Sequence, residues 1–324
     1  MAGKRRFEEQ LAALDTVRQQ ASEASIEPLR KALANRNNYV VAKAADLVRE
    51  LRLAELVPEL LSAFDRFFTN RIKTDPQCWA KNSLSRALAE LECQDPAVFL
   101  RGMRHTQPEP VWGGTSDTAG TLRGTCALAL VECGSLSDQE LLTCLMELFA
   151  DNDKSVRVAA VRAIEHVGSQ SAALLLRMKA ILAADEPEVL GACYSGILSI
   201  EGTAAIAWIS QFLRTADDAA AEAALAIAAD RSPQAFDALR QRFLEARDPW
   251  FRSILLSAII LTRQEAAQDF LFDLVQTDSV HAEAAIEALL RSAPSPEITQ
   301  HLERLVSENP RLARAFATHR THNS

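Results

Sequence analysis

The sequence predicts an all-α chain: a right-handed α-α solenoid of about eight helix pairs with a capping helix at each end. Three observations predict it. The 324 residues hold 55 alanines but only 6% aromatics and 11 glycines, and Ala, Leu, Glu and Arg favour helix where β-branched and aromatic runs are scarce. An apolar pattern of helical period returns at intervals of about 30–34 residues over the C-terminal two-thirds. Capping residues followed by proline punctuate the pattern, at Asp75-Pro76, Asp95-Pro96, Ser232-Pro233, Asp248-Pro249, Ser295-Pro296 and Asn309-Pro310.

In chain order, residues 4–24 read as a charged amphipathic cap with Phe7, Leu11, Leu14 and Val17 on one face. Repeats one and two fill 25–104, with weak copies of the pattern at 40–48 and 80–88. A long Gly/Pro loop follows at 105–116, regular repeats at 117–308, and a C-terminal cap with a frayed tail at 309–324. The whole of 1–324 is thus expected to form a single solenoid.

The clearest copy is DKSVRVAAVRAIEHVG at 153–168. Val156, Ala159, Ala160, Ala163, Ile164 and Val167 share one helix face, Asp153 is placed to cap it and Gly168 to end it. Ala160, Cys126, Cys193 and Ala223 occupy the same small-residue position in successive copies, which lets neighbouring helices approach closely. Leu175, Phe212, Phe243 and Phe270, on the intervening helices, are expected to fill the space between layers. The run D-x-x-V-R-x-x-A-x-x-A-I at 153–164 resembles HEAT repeats, and more closely the short bacterial HEAT-like repeat of the phycobilin-lyase type. The resemblance covers most of 25–308 and implies a fold without implying a function.

The repeat is interrupted once. The segment 102–124 carries Pro108, Pro110 and five of the 11 glycines. Here Pro removes donors and Gly113-Gly114 permits left-handed backbone, so neither helix should continue through 105–116. Asp117 or Ser116 is expected to cap the next helix. Two outcomes are open. In one, the loop folds over the concave face beside the cations Lys81, Arg86, Arg101, Arg104 and Arg123 and builds a binding site. That site would comprise Lys81, Arg104, His105, Glu109, Trp112, Gly113, Gly114, Asp117 and Arg123. Trp112 would give a flat apolar contact, Arg123 or Lys81 an anionic anchor, and Glu109 and Asp117 would hold those cations or accept hydrogen bonds. In the other, Trp112 is a plug tucked into the solenoid.

No motif of a serine hydrolase, P-loop or zinc protease is present, and no CxxC pair. His319 and His322 read as a solvated tail, and His166 as a surface residue at a helix end. His281-x-Glu283 lacks the repetition of the His-Glu pairs that di-iron HEAT-like hydroxylases use. No metal and no cofactor is expected. HEAT-like alkylpurine DNA glycosylases place tryptophans and an acidic residue in a basic groove, an arrangement that Trp79, Trp112 and Asp117 would have to echo. Trp208 and Trp250 are expected in core or inter-repeat packing, and Asp217-Asp218 and 185–188 at solvated loop edges.

The net charge is −8: residues 1–125 hold 18 Lys+Arg against 16 Asp+Glu, and the remainder 17 against 27. The longest basic run is the tripeptide at 4–6, so nucleic acid is not an expected partner. Scattered cysteines, the lack of a leader-like h-region and the lack of an apolar stretch of about 20 residues lead to the expectation of a cytoplasmic protein without a membrane partner. The function expected is a non-enzymatic scaffold or adaptor that binds a protein or peptide on its concave face, with 104–123 as a specificity element. The alternative is an enzyme or small-ligand binder using that loop, such as a HEAT-like DNA glycosylase or a chromophore lyase. The oligomeric state has no signature in the sequence.

Overall fold

A computed structural model describes residues 2–20, 26–292 and 294–321. The chain is all-α apart from one small β-hairpin among the described residues. Residues 21–24 of the expected N-terminal cap, and the tail with His322, lie outside the described residues. The contacts divide the chain into two compact units, 1–167 and 168–324.

The first unit contains α1 (Ala2–Gln20), α2 (Ile26–Leu33), α3 (Asn38–Glu50), α4 (Val57–Arg66), the single turn α5 (Arg71–Thr74), α6 (Trp79–Glu90) and α7 (Pro96–Met103). Strands β1 (Pro108–Val111) and β2 (Gly114–Asp117) follow, then α8 (Gly120–Val131), α9 (Asp138–Leu145) and α10 (Lys154–Val167). Helices α3, α6, α8 and α10 pack in succession, and α2, α4, α7 and α9 each lie against one of them. The second unit contains α11 (Gln170–Leu182), α12 (Pro187–Glu201), α13 (Ile206–Ile209), α14 (Asp218–Ala229), α15 (Pro233–Glu245), α16 (Pro249–Leu261), α17 (Glu265–Gln276), α18 (Ala282–Arg291), α19 (Pro296–Val306) and α20 (Pro310–Thr321). There α12, α14, α16, α18 and α20 form the row, flanked by α11, α13, α15, α17 and α19. Paired helices thus stack within each unit.

The small residues sit where helices touch. Cys126, Ala160, Cys193 and Ala223 are fully buried. A methyl group on Gly102 would lie 2.3 Å from the Cys126 sulfur, so α7 and α8 meet at a distance that only glycine permits. Phe243 is buried, whereas Leu175, Phe212 and Phe270 are half-buried. Capping follows the expected residues at Asp95, Ser232, Asp248, Ser295 and Asn309, each of which accepts from a first-turn N–H, whereas Asp75 does not cap a helix at Pro76. Asp217, expected at a solvated edge, caps α14, and the Asp185 side chain is buried against Lys179.

Helix ends depart from the glycine rule. Gly168 (φ 68°) does follow α10, but α3, α6 and α17 close on Arg52, Glu92 and Asp278 with φ between 49° and 56°. At each, the next N–H returns to a carbonyl in the last helical turn: Leu53 to Val48, Cys93 to Leu88, Ser279 to Leu274. Trp250 also departs from expectation at 45% exposed, whereas Trp208 is half-buried, packed on Phe212 and beneath Arg177 of α11. The run Pro187–Arg214 is long and apolar enough to span a bilayer by length and composition, contrary to expectation. Within the fold, 56% of its apolar window is buried, and Gly202 (φ 64°) breaks it.

Candidate functional site

The segment expected as a loop is a hairpin. β1 and β2 pair antiparallel with Pro108 opposite Asp117, Glu109 opposite Ser116, Pro110 opposite Thr115 and Val111 opposite Gly114. Trp112 and Gly113 form the two-residue turn, and Gly113 has φ 89°, which a side chain would strain. The prolines read as breakers because they break helices. In a hairpin they are tolerated wherever the missing N–H would point away from the partner strand. Alternate residues satisfy that condition here, and Pro108 and Pro110 are two apart.

Trp112 stands at the tip, fully exposed, with Val111 half-exposed beside it. The plug outcome is therefore corrected: the ring projects from the protein. Nothing lies within 4 Å of where side chains on Gly113 or Gly114 would start.

The base of the hairpin is locked by buried polar groups. Gln107 continues the ladder, accepting from the Thr118 N–H at 3.1 Å. Its side-chain amide donates to the Asp75 carbonyl at 2.8 Å and to Glu109 Oε1 at 2.7 Å. Glu109 Oε1 also accepts from the Gln77 N–H at 2.6 Å and the Thr118 hydroxyl at 2.8 Å. Burial pushes the Glu109 carboxyl up, but these donors and nearby Lys81 hold it below its usual range. Asp117 Oδ1 accepts from the Gln107 and Ala119 N–H groups at 2.8 and 3.1 Å, so it turns the chain into α8. Asp117 too sits below its usual range, against the effect of burial, through those N–H groups and Arg123.

Arg123 clamps both sides. Its Nη1 donates to Asp117 Oδ2 at 2.6 Å and to the His105 carbonyl at 3.0 Å. Nε and Nη2 grip Asp151 bidentately at 2.7 and 2.9 Å. Burial opposes its charge, yet the hydrogen bonds of Asp151 and then Asp117 raise its pKa. Lys81 is fully buried, with Nζ 2.9 Å from Asp75 Oδ2 and 3.3 Å from the Phe67 carbonyl. Asp75 also accepts from the Ala80 and Lys81 N–H groups and from Asn38. It therefore caps α6 across Gln77 and Cys78, which take left-handed backbone at φ 60° and 54°. This is why the helix begins at Trp79 instead of Pro76.

These contacts correct the anionic-anchor expectation, because both Lys81 and Arg123 spend their donors on internal acceptors. Glu109, Asp117, Arg123 and His105 join one network, with Lys81 attached through Asp75. Arg104 stands apart, paired with Glu147 at 3.4 Å on the surface. Gln107, Thr118 and Asp151 carry no signal that the sequence reading uses, and Asp75 enters it only as a cap before Pro76. Arg123 and Asp151 are 28 residues apart, and no local pattern joins them.

His105 is buried, its ring 4.8 Å from that of Phe68 and its Nε2 3.1 Å from Gln107 Oε1. Gln107 Nε2 donates both hydrogens, so Oε1 is the acceptor and neutral His105 carries its proton on Nε2. Burial lowers the His105 pKa, and Lys81 and Arg71 add to that, against Gln107 and Asp117. A folded pKa below the unfolded value of about 6.5 gives stability that is present above that value and is lost as pH falls through the folded pKa. Thermal melts between pH 7.5 and 5 should therefore show a falling midpoint, and His105→Gln should flatten that slope. An unchanged slope would mean that His105 does not titrate on unfolding.

Among the described residues no three His, Cys, Asp or Glu are grouped to hold a metal ion. His281 Nε2 lies 3.1 Å from Arg252 Nη1. Trp79 packs on Tyr39 at 5.6 Å, with Tyr39 in turn 6.0 Å from Phe7. Burial pushes the Cys78 thiol, beside Thr118, up to about 11, so it is no nucleophile at neutral pH. Cavities lie elsewhere, one of about 530 Å³ between α13 and α15 and one of about 310 Å³ against α1 and α3.

No family model matches the chain, and no curated protein matches it. Several solved structures are similar. Human deoxyhypusine hydroxylase in complex with glycerol is 18% identical over 79% of this chain and 90% of that chain, with a TM-score of 0.30. An engineered protein is 15% identical over 97% and 94%, with a TM-score of 0.34.

Proposed function

We propose that this chain is a non-enzymatic protein-binding module of HEAT-like repeats, which holds a protein or peptide partner through the hairpin 108–117. The flanking 104–123 segment sets its specificity. One observation carries the reading: a fully exposed tryptophan at the tip of a hairpin whose base is fixed by buried polar groups. A lone exposed apolar residue is ordinary. A tryptophan held out on a rigid two-residue turn is a different case, because it buries a large area on contact and loses little freedom in doing so. A role in the protein's own stability does not account for a ring that packs on nothing. With Lys81 and Arg123 internally paired, the reading uses apolar contact and backbone, not an anionic ligand.

The test is Trp112→Ala. Removing an unpacked side chain should leave the melting profile within about 0.5 kcal/mol of wild type. In quantitative pull-downs from the source organism's lysate, a partner enriched by wild type should fall by tenfold or more, as expected of an anchor worth about 2 kcal/mol. An identical set of captured proteins would overturn the reading.

A further inference from the structure

We propose that the outer edge of β2 receives an extended segment of the partner as a third strand. The proposal rests on the hairpin being the partner-binding element and specifies how it binds.

The ladder phase fixes which backbone groups point outward. The Thr118 N–H to Gln107 carbonyl bond makes 107 and 118 a hydrogen-bonded pair. Pairs alternate in an antiparallel ladder. With the observed register, Glu109 with Ser116 and Val111 with Gly114 are then hydrogen-bonded, whereas Pro108 with Asp117 and Pro110 with Thr115 are not. The backbone of those four residues faces away from the hairpin. On the β1 side both outward residues are proline, so that edge offers no donor. On the β2 side Thr115 and Asp117 present two N–H and two C=O groups, and all four β2 residues are exposed. No partner for those backbone groups occurs among the described residues. One edge is closed by sequence and the other has the repeat of donors and acceptors that strand addition uses.

The fitting partner is a protein segment in extended conformation, without proline at the two positions that face Thr115 and Asp117. It would carry an apolar side chain level with the turn, where Trp112 and the half-exposed Val111 supply a contact surface. A second copy of this chain fits less well. The edge is four residues, about 13 Å, and two such edges paired would bury far less than the roughly 1,000 Å² of a stable dimer.

The test pans a phage-displayed library of random linear heptapeptides against the full chain. A selected peptide is then resynthesised with single N-methyl groups along its backbone. Alternate amides should be sensitive, each N-methylation weakening binding about tenfold, while the amides between them tolerate it. This arm leaves the protein unaltered. In the second arm, Thr115→Pro removes one outward donor without touching the ladder and should abolish peptide binding, whereas Thr115→Val should retain it. On peptide addition, hydrogen exchange at the Thr115 and Asp117 amides should slow. The proposal is overturned if panning yields no binder, if N-methyl sensitivity does not alternate, or if Thr115→Pro binds like wild type. It is also overturned if sedimentation shows a dimer that Thr115→Pro dissolves, which would give the edge to a second copy. Should Trp112→Ala lose the lysate partner while Thr115→Pro keeps it, the hairpin reading survives and the strand addition fails. Should Trp112→Ala keep it, the hairpin reading itself fails.

Discussion

Asp75→Ala should destabilise the first unit by about 3–5 kcal/mol, the largest loss expected of any single change near the hairpin. The reason is what it leaves behind. Lys81 Nζ is fully buried and would keep only the Phe67 carbonyl, at 3.3 Å. The Ala80 and Lys81 N–H groups would lose their acceptor at the start of α6. Gln77 and Cys78, in left-handed backbone, would lose the clasp that spans them. The pair itself need not be stabilising, since a buried ion pair barely offsets its own desolvation. Asp75→Asn with Lys81→Met should therefore recover part of the loss, because no uncompensated charge remains. Urea melts followed by circular dichroism and by tryptophan fluorescence check this, with the two units fitted as separate transitions. A single-variant loss under about 1 kcal/mol would show that water reaches Lys81.

Arg123→Met should destabilise the same unit by about 2–4 kcal/mol at pH 7, somewhat less because Asp117 is a third exposed. It leaves Asp117 and Asp151 facing each other and frees the His105 carbonyl. The pH dependence gives the sign. In wild type the Asp117 carboxyl is held low, so its contribution is present above the unfolded value of about 3.9 and is lost as pH falls through the folded one. The variant lacks that contribution and carries two repelling carboxylates. Its deficit should shrink as acid protonates them. Paired melts at pH 7 and pH 3.5 measure the difference, and a deficit that stays constant would place its origin in lost packing.

Much of the architecture is legible in the sequence. Val156, Ala160, Ala163 and Ile164 mark a buried face by spacing alone, and the caps Asp95, Ser232, Asp248 and Ser295 mark helix starts. Both signals are local. The hairpin is half legible. Gly113 announces a turn, but Pro108 and Pro110 argue against helix without marking the two-residue period of a strand. The network beneath it is not legible. Gln107, Asp75 and Asp151 act over separations of 28 to 32 residues, which only the stacking of repeats brings together. The same holds for Lys81, whose burial follows from the turn at Asp75. Trp250 faces solvent although its neighbour Phe251 is fully buried, because adjacent residues on a helix point in different directions.

Arg52, Glu92 and Asp278 close three helices in a conformation that glycine adopts more easily. A side chain in left-handed backbone carries a penalty of about 1 kcal/mol or somewhat more. Three such ends, in α3, α6 and α17, leave the chain below the stability its own backbone would support. A protein already stable enough for its work has no need of such a margin. For a repeat protein the margin is modular, since each end lies in its own helix pair and far from the others in sequence. Stability can then be adjusted one repeat at a time, without disturbing the hairpin or the groups beneath it.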